Sequence, residues 1–187
     1  MTRNDAADVS IQPLRSRVSR PDDTAALDAI FFGSSNTKTF DSDEIRQQFR
    51  DRWLGRYLRL DPAEAFLAVD RTGTIVGYLV GCLSDPARQS RFDDIGYFHL
   101  LADLTARFPA HLHVNLAPAW RGTGVGSRLV GQFITHAAEN GSQGVHVVTS
   151  EGARNVGFYV RNRFGLQRTF TYRGNSLVML GRTLEPT

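Results

Sequence analysis

Residues 111–127, HLHVNLAPAWRGTGVGS, constrain this chain more than any other stretch. His111-Leu112-His113-Val114-Asn115-Leu116 alternates, with Leu112, Val114 and Leu116 on one face of a strand and His111, His113 and Asn115 on the other. Pro118 cannot donate to a sheet ladder, so the strand stops before it. Arg121-Gly122-Thr123-Gly124-Val125-Gly126 comes next, and an apolar helical pattern begins directly after. Glycines let backbone N–H groups converge with no Cβ in the way. A helix N-terminus adds a partial positive charge. A strand, a glycine loop and a helix in that order make a seat for phosphate groups.

Spacing separates the phosphate loops this could be. A dinucleotide fingerprint requires G-x-G-x-x-G, but Ser127 stands at the third glycine. A P-loop requires Gly-Lys-Ser/Thr, and Lys38 is the only lysine in the chain. Arg-x-x-Gly-x-Gly does fit, as Arg121, Gly124 and Gly126. The plainer alternative is a tight strand-to-helix turn with no ligand.

The flanking elements read in order. Val9–Leu14 alternates as a first strand, with Pro13 at its end or on an edge, and residues 1–8 are expected to be disordered. A first helix enters at Arg20–Thr24, carries Ala26, Leu27, Ile30 and Phe31, and closes at Gly33–Asn36. A second comes after Asp41–Glu44 with an apolar stripe of Ile45, Phe49, Trp53 and Tyr57, its arginines forming a solvated face. Ala65–Val69 and Ile75–Val80 flank Asp70–Gly73 as a hairpin. Ile95, Phe98, Leu101, Leu104 and Phe108 suggest one or two helices within the irregular stretch 84–110. After the glycine loop, Val125, Leu129, Phe133 and Ala137 recur at i+4 until Asn140-Gly141. Val145–Thr149 is a buried strand, Val156–Val160 a short helix, and Leu166–Tyr172 with Ser176–Leu180 a closing hairpin.

A chain of 187 residues supports one domain with a full core, and 41% hydrophobic with 22% charged residues is ordinary for a soluble protein. No run is apolar enough to span a membrane, MTRNDAADVS lacks the core of a signal peptide, and Cys82 is alone, so a cytoplasmic protein is expected. The net charge of +3 is too mild to argue for nucleic acid. No residue is assigned to a metal.

With its flanking elements, the Arg121–Gly126 loop resembles the acetyl-CoA signature of the Gcn5-related N-acetyltransferases (GNAT), and the element order is similar to that fold over nearly the whole chain. Phe158-Tyr159 and Phe164 resemble the family's FYxxxGF segment. Arg163 stands at its glycine, and Gly152 where relatives often carry asparagine. HLHVNL, the 84–110 stretch and GVHVV look most similar to the acetyltransferase-like branch attached to O-GlcNAcases, whose relatives often carry aspartate at the Asn115 position. The resemblance implies a single-domain α/β fold with a mixed sheet of about seven strands, strands 4 and 5 splayed apart. It also implies transfer of an acetyl group from acetyl-CoA to an amine of a small molecule or protein, with no nucleic acid or membrane partner; a homodimer is consistent with it. A non-catalytic acyl-CoA-binding module and a purely structural domain are the competing readings.

Carried over residue by residue, Arg121, Gly122, Thr123, Gly124, Val125, Gly126 and Ser127 hold the pyrophosphate, and Phe158 also faces the cofactor. The pantetheine arm fills a gap between Val114–Leu116 and Val147–Thr149, with backbone groups at Leu116 pairing to its amides. An N–H near Val114 or Asn115 stabilises the thioester oxygen, worth about 10²–10³ in rate. Tyr159 matches the acid that protonates the thiolate. The base has no carboxylate in HLHVNL, which leaves His113 as candidate, with His111 beside it, Asn115 able to orient a water, and Asp85, Asp94 and Glu151 more remote. The alternative for both histidines is burial in the strand with bonds to neighbours.

Overall fold

The computed structural model describes residues 6–18 and 20–185. Seven strands form one mixed sheet: β1 (Val9–Pro13), β2 (Phe66–Asp70), β3 (Ile75–Cys82), β4 (Ala110–Leu116), β5 (Gly144–Ser150), β6 (Gly165–Tyr172) and β7 (Asn175–Thr183), in the order β1-β2-β3-β4-β5-β7-β6. The α/β class and the seven strands are as the sequence implies. The chain packs as two compact units, one of residues up to Gly81 with His113–Phe133, the other of Cys82–Leu112 with the residues from Ile134 on.

In the first unit β1, β2 and β3 pair antiparallel. Pro13 ends the edge strand β1, where its missing N–H costs no ladder bond. Asp70 closes the β2–β3 turn by accepting from the N–H groups of Thr72 and Thr74, each at 2.9 Å. The expected disorder of residues 1–8 does not extend over Ala6–Asp8, which form a 3₁₀ turn; residues 1–5 lie outside the described residues. Arg128 explains the order, donating to the carbonyls of Ala6 and Val9, while Asp8 pairs with Arg71.

Helix α1 (Asp23–Ser34) buries Leu27, Ile30 and Phe31 as its spacing requires. Helix α2 (Asp43–Arg50) is capped by Ser42, whose hydroxyl accepts from the Ile45 N–H. It runs through a π-helical segment, Asp51–Gly55, into α3 (Arg56–Leu60). The single stripe expected for Ile45, Phe49, Trp53 and Tyr57 therefore breaks. The wider turn rotates α3 relative to α2, so Leu54, Gly55, Arg56 and Tyr57 are buried while Ile45 stays 46% exposed. The arginine face is not simply solvated either. Arg50 pairs with Asp28 at 2.6 Å and Arg56 is buried, while Arg46 lies over the Phe32 ring and Arg59 pairs with Asp51 in solvent.

In the second unit β4 pairs parallel with β5 through Ala110–Val145 and His111–His146, and β5 and β6 each pair antiparallel with β7. Stretch 84–110 resolves into 3₁₀ turns and two single-turn helices, α4 (Tyr97–Leu100) and α5 (Ala102–Thr105), and all five of its predicted apolar anchors are buried. The β6–β7 turn has positive φ at both Arg173 and Gly174, the geometry that matches strand twist in a two-residue hairpin. Helix α6 (Val125–Glu139), which runs from the first unit into the second, ends as its sequence announces: the Gly141 N–H reaches the Ala138 carbonyl and the Ser142 N–H that of Ala137.

Helix α7 (Arg154–Arg161) ends in the same kind of motif, with Arg163 to Val160 and Phe164 to Tyr159, but the left-handed position is Arg163 at φ 67°. The turn at this departure from glycine holds Arg163 in a conformation that favours glycine, and the backbone carries the strain. A side chain in that conformation costs about 1–2 kcal/mol, and glycine's extra unfolded-state entropy costs about 0.5–1 kcal/mol. The Arg163 charge also acts on Arg182, whose guanidinium is lowered from its usual range by burial first and by Arg163 second. Arg163→Gly is therefore expected to stabilise the protein by about 0.5–1 kcal/mol, read as a higher urea midpoint at unchanged slope. A lower midpoint would contradict the strain argument. Gly152, the other departure, sits at φ 72°, in the left-handed region that glycine adopts without strain.

Candidate functional site

The site begins where β4 ends. Pro118–Trp120 make one 3₁₀ turn, Arg121 is extended, and the backbone turns left-handed at Gly122 (φ 76°) and again at Gly124 (φ 95°) before α6 starts. A Cβ at either glycine would meet nothing within 4 Å, so the glycines supply backbone conformation and border open space. The Gly124 carbonyl accepts from the Arg128 N–H at 3.1 Å, which makes Gly124 the N-cap residue. Having no side chain, it cannot cap the amides of Gly126 and Ser127. A 15-residue helix thus presents donors at its positive end to a space that a phosphate suits. Val125 contributes through its backbone alone, since its side chain is 0% exposed. Thr123 is turned inward, its hydroxyl donating to the Trp120 carbonyl at 2.7 Å.

Arg121 folds back over the loop. Its Nε donates to the Leu116 carbonyl at 3.2 Å and its Nη2 to the Ser34 hydroxyl at 3.1 Å. The Leu116 carbonyl, which the family resemblance assigns to a pantetheine amide, is thereby engaged. The Leu116 side chain lies against Gly77, where any Cβ would collide with it.

Val114 and its neighbours from His113 to Leu116 are partly buried. Asn115 donates to the Tyr78 hydroxyl at 2.9 Å. Burial drives that phenol's pKa well up, and the Asn115 bond opposes the shift. His113 Nε2 lies 3.1 Å from the Tyr57 hydroxyl, and the Trp53 ring meets the imidazole edge to face with centroids 5.4 Å apart. The sequence offers no partner for His113; the structure supplies these two, whose i, i+4 spacing reads only as core. His111 is not a reserve for His113. It is 2% exposed in the second unit, packed on Phe92 and Phe98 beside His146.

In that unit Tyr159 is buried on α7, its ring against Phe158 and Phe164. Burial drives its pKa well above the phenol range, so it stays protonated at neutral pH. Phe158 is partly buried. Two of the remote carboxylates are committed: Asp85 accepts from the Ala87 N–H and Glu151 from the Ser176 hydroxyl. Asp94 is exposed. Between α1 and α2 a surface cavity of about 550 Å³ is bounded by Phe32, Lys38, Phe40, Asp43 and Arg46. Among the described residues no cluster of histidine, cysteine or carboxylate side chains is arranged to hold a metal, and no helix is long and apolar enough to cross a membrane.

Residues 28–165 match the family model described as the acetyltransferase (GNAT) family. Solved structures share the fold. One of a protein named SsHAT is 23% identical with a TM-score of 0.69, over 94% of this chain and 98% of that one. A GCN5-related N-acetyltransferase from Kribbella flavida is 19% identical at a TM-score of 0.62, over 95% and 99%. The polyamine N-acetyltransferase of Drosophila melanogaster, which forms N-acetylagmatine, is 15% identical at 0.65, over 95% and 100%.

Proposed function

The chain belongs to the acetyltransferase (GNAT) family, and on that premise we propose that it is an N-acetyltransferase that uses acetyl-CoA and an amine acceptor in a ternary complex. One observation carries the proposal: the N-terminus of α6, left without a side-chain cap behind two left-handed glycines that border open space. Acetyl-CoA supplies the activated thioester; its pyrophosphate is held by the backbone donors of Gly124–Ser127. Holding both reactants together contributes about 7–11 kcal/mol of barrier lowering. The amine nitrogen then bonds to the thioester carbon as the C–S bond breaks. Tyr159, protonated at neutral pH, delivers a proton to the departing sulfur. The acceptor arrives as the free amine, its ammonium proton already lost to water; after attack the nitrogen sheds one further proton, which passes through water to restore Tyr159, leaving the amide and the free thiol.

The acceptor is a small molecule or a protein amino group, and the cavity bounded by Phe32, Phe40, Lys38 and Arg46 forms one wall for it. The segments HLHVNL, 84–110 and GVHVV support a place near the O-GlcNAcase-associated branch. The absence of a carboxylate on β4 favours a second reading, an acyl-CoA-binding module without turnover. Calorimetric titration with acetyl-CoA together with a free-thiol assay over a panel of amines separates the two. Binding with thiol release supports the enzyme; binding with no release against any amine supports the module; no binding defeats both.

Tyr159→Phe keeps the ring in its contacts with Phe158 and Phe164 and removes the proton. It is expected to lower kcat by about 10²-fold or more with acetyl-CoA affinity unchanged. An unchanged kcat, measured where chemistry limits turnover, reduces Tyr159 to packing.

A further inference from the structure

The cavity between α1 and α2 is built from two aromatic rings and three charged side chains. Phe32 and Phe40 stand edge to face with centroids 5.9 Å apart. Lys38, Asp43 and Arg46 bound the same space of about 550 Å³, a volume ordinary for a small-molecule site. Its place in the fold is fixed by Arg121. The Nη2 of that residue donates to the hydroxyl of Ser34, the last residue of α1, while its Nε holds the Leu116 carbonyl at the end of β4. The last turn of α1, which carries Phe32, therefore lies beside the glycine loop and the end of β4.

The charges around this cavity are not matched to one another. The Lys38 ammonium donates to the carbonyls of Phe32 and Gly33, each at 3.2 Å, and so fixes a cation at the negative end of α1. Asp43 sits in the first turn of α2, where the positive end of the helix offsets its charge. Arg46 follows one turn later, its guanidinium over the Phe32 ring at 3.8 Å from the centroid. Among the described residues its side chain has this ring as its partner and no hydrogen bond or ion pair, not even to Asp43 on the same cavity. Its neighbours on the same helical run differ: Arg50 takes Asp28 and Arg59 takes Asp51. Arg46 is thus a guanidinium held on a ring face, beside a second cation, with its five N–H donors uncommitted.

We propose that this cavity is an anion-binding acceptor site: it takes a primary amine that also bears a carboxylate, with the carboxylate on Arg46 and the apolar body of the molecule against Phe40. A guanidinium forks onto a carboxylate through two parallel bonds, which makes Arg46 the residue that selects for the acid. Lys38 adds a second positive charge. A polyamine fits worse, because the Phe32 face that would receive its cation already carries a guanidinium. Naming the anion as part of the acceptor rests on the acetyltransferase reading; the anion site does not.

Arginine side-chain ¹H–¹⁵N spectra of the labelled full chain test this without turnover. The Arg46 Nε–H signal is assigned by its loss in Arg46→Gln, a change at an exposed helix position that keeps a good helix former. L-Phenylalanine, L-leucine and γ-aminobutyrate are titrated at neutral pH beside their decarboxylated counterparts, phenethylamine, isopentylamine and propylamine. At least one of the three acids is expected to shift the Arg46 signal and to bind about tenfold or more tightly than its counterpart. Arg46→Gln is expected to weaken that acid by about 10–100-fold and to leave its counterpart and acetyl-CoA unchanged. Arg46→Lys, which keeps the charge and loses the fork, falls between. Acids that bind no better than their counterparts, an Arg46 signal that none of them moves, or equal affinity in Arg46→Gln each overturn the proposal. So does a loss of acetyl-CoA affinity in Arg46→Gln, which places a phosphate of the cosubstrate on Arg46. Failure of the acetyltransferase reading shows separately, as an acid that binds at Arg46 with no thiol release.

Discussion

Gly124→Asp is expected to abolish measurable acetyl-CoA binding while leaving the fold intact. The position is the uncapped N-cap of α6, and aspartate there does two things. Its carboxylate competes for the amides of Gly126 and Ser127, the donors proposed to hold the pyrophosphate. It also sets a negative charge beside that anion. Two like charges about 4 Å apart repel by about 4 kcal/mol at the effective dielectric of a protein surface, and about 1.4 kcal/mol is a factor of ten in Kd. Affinity falls by about 10³-fold or more. The fold survives because a side chain at φ 95° costs about 1–2 kcal/mol and a new cap returns about 1 kcal/mol. Gly124→Ala is the control, adding a Cβ to open space with the strain but no charge; it should weaken binding by about tenfold at most. Calorimetric titration reads both variants against wild type. Equal affinity in a folded Gly124→Asp protein would remove the pyrophosphate from this loop.

What the sequence discloses about this molecule is what local periodicity and turn chemistry encode. Alternation marks β4, i+4 spacing marks α6, Asn140-Gly141 marks its end, and Arg173-Gly174 sets the last hairpin, because each depends on residues a few positions apart. The glycine loop is legible for the same reason: its donors are backbone groups whose orientation the glycines dictate. The side-chain chemistry is less so. Arg121 meets Ser34 across 87 residues of chain, and Tyr57 meets His113 across 56. No spacing rule reaches that far. The π-helical segment is invisible in a pattern whose i+4 repeat continues unbroken through Trp53, yet it decides which residues α3 buries. Alternation places His111 and His113 on one strand face but says nothing of what covers that face. Phe92 and Phe98 bury the first, and Tyr57 and Trp53 engage the second.

The covered half of that face makes stability depend on pH. His146 pairs with His111 across the β4–β5 ladder, with ring centroids 5.5 Å apart and the Phe98 ring against it. Its Nδ1 donates to the Phe108 carbonyl at 2.6 Å, and its Nε2 is buried with no partner among the described residues. Burial pushes the imidazole down to about 4 from its ordinary 6.5, against the opposing pull of the Phe108 carbonyl and the Asp85 charge. The unfolded chain therefore binds a proton that the folded protein refuses. Stability is complete above pH 6.5, falls as the pH drops from 6.5 toward 4, and levels off below that. At about 1.36 kcal/mol per pKa unit the loss is about 3 kcal/mol, a large share of a marginally stable fold. His146→Leu fills similar volume with no titrating group, so its urea midpoint should lack this component of the slope between pH 6.5 and 4. The test is the difference between the two proteins across that window, because carboxylates such as Asp23, held low by Arg17, lose their own pairing at more acid pH in both. Parallel pH profiles for wild type and His146→Leu would mean that the buried imidazole gains its proton without opening the aromatic cluster around it.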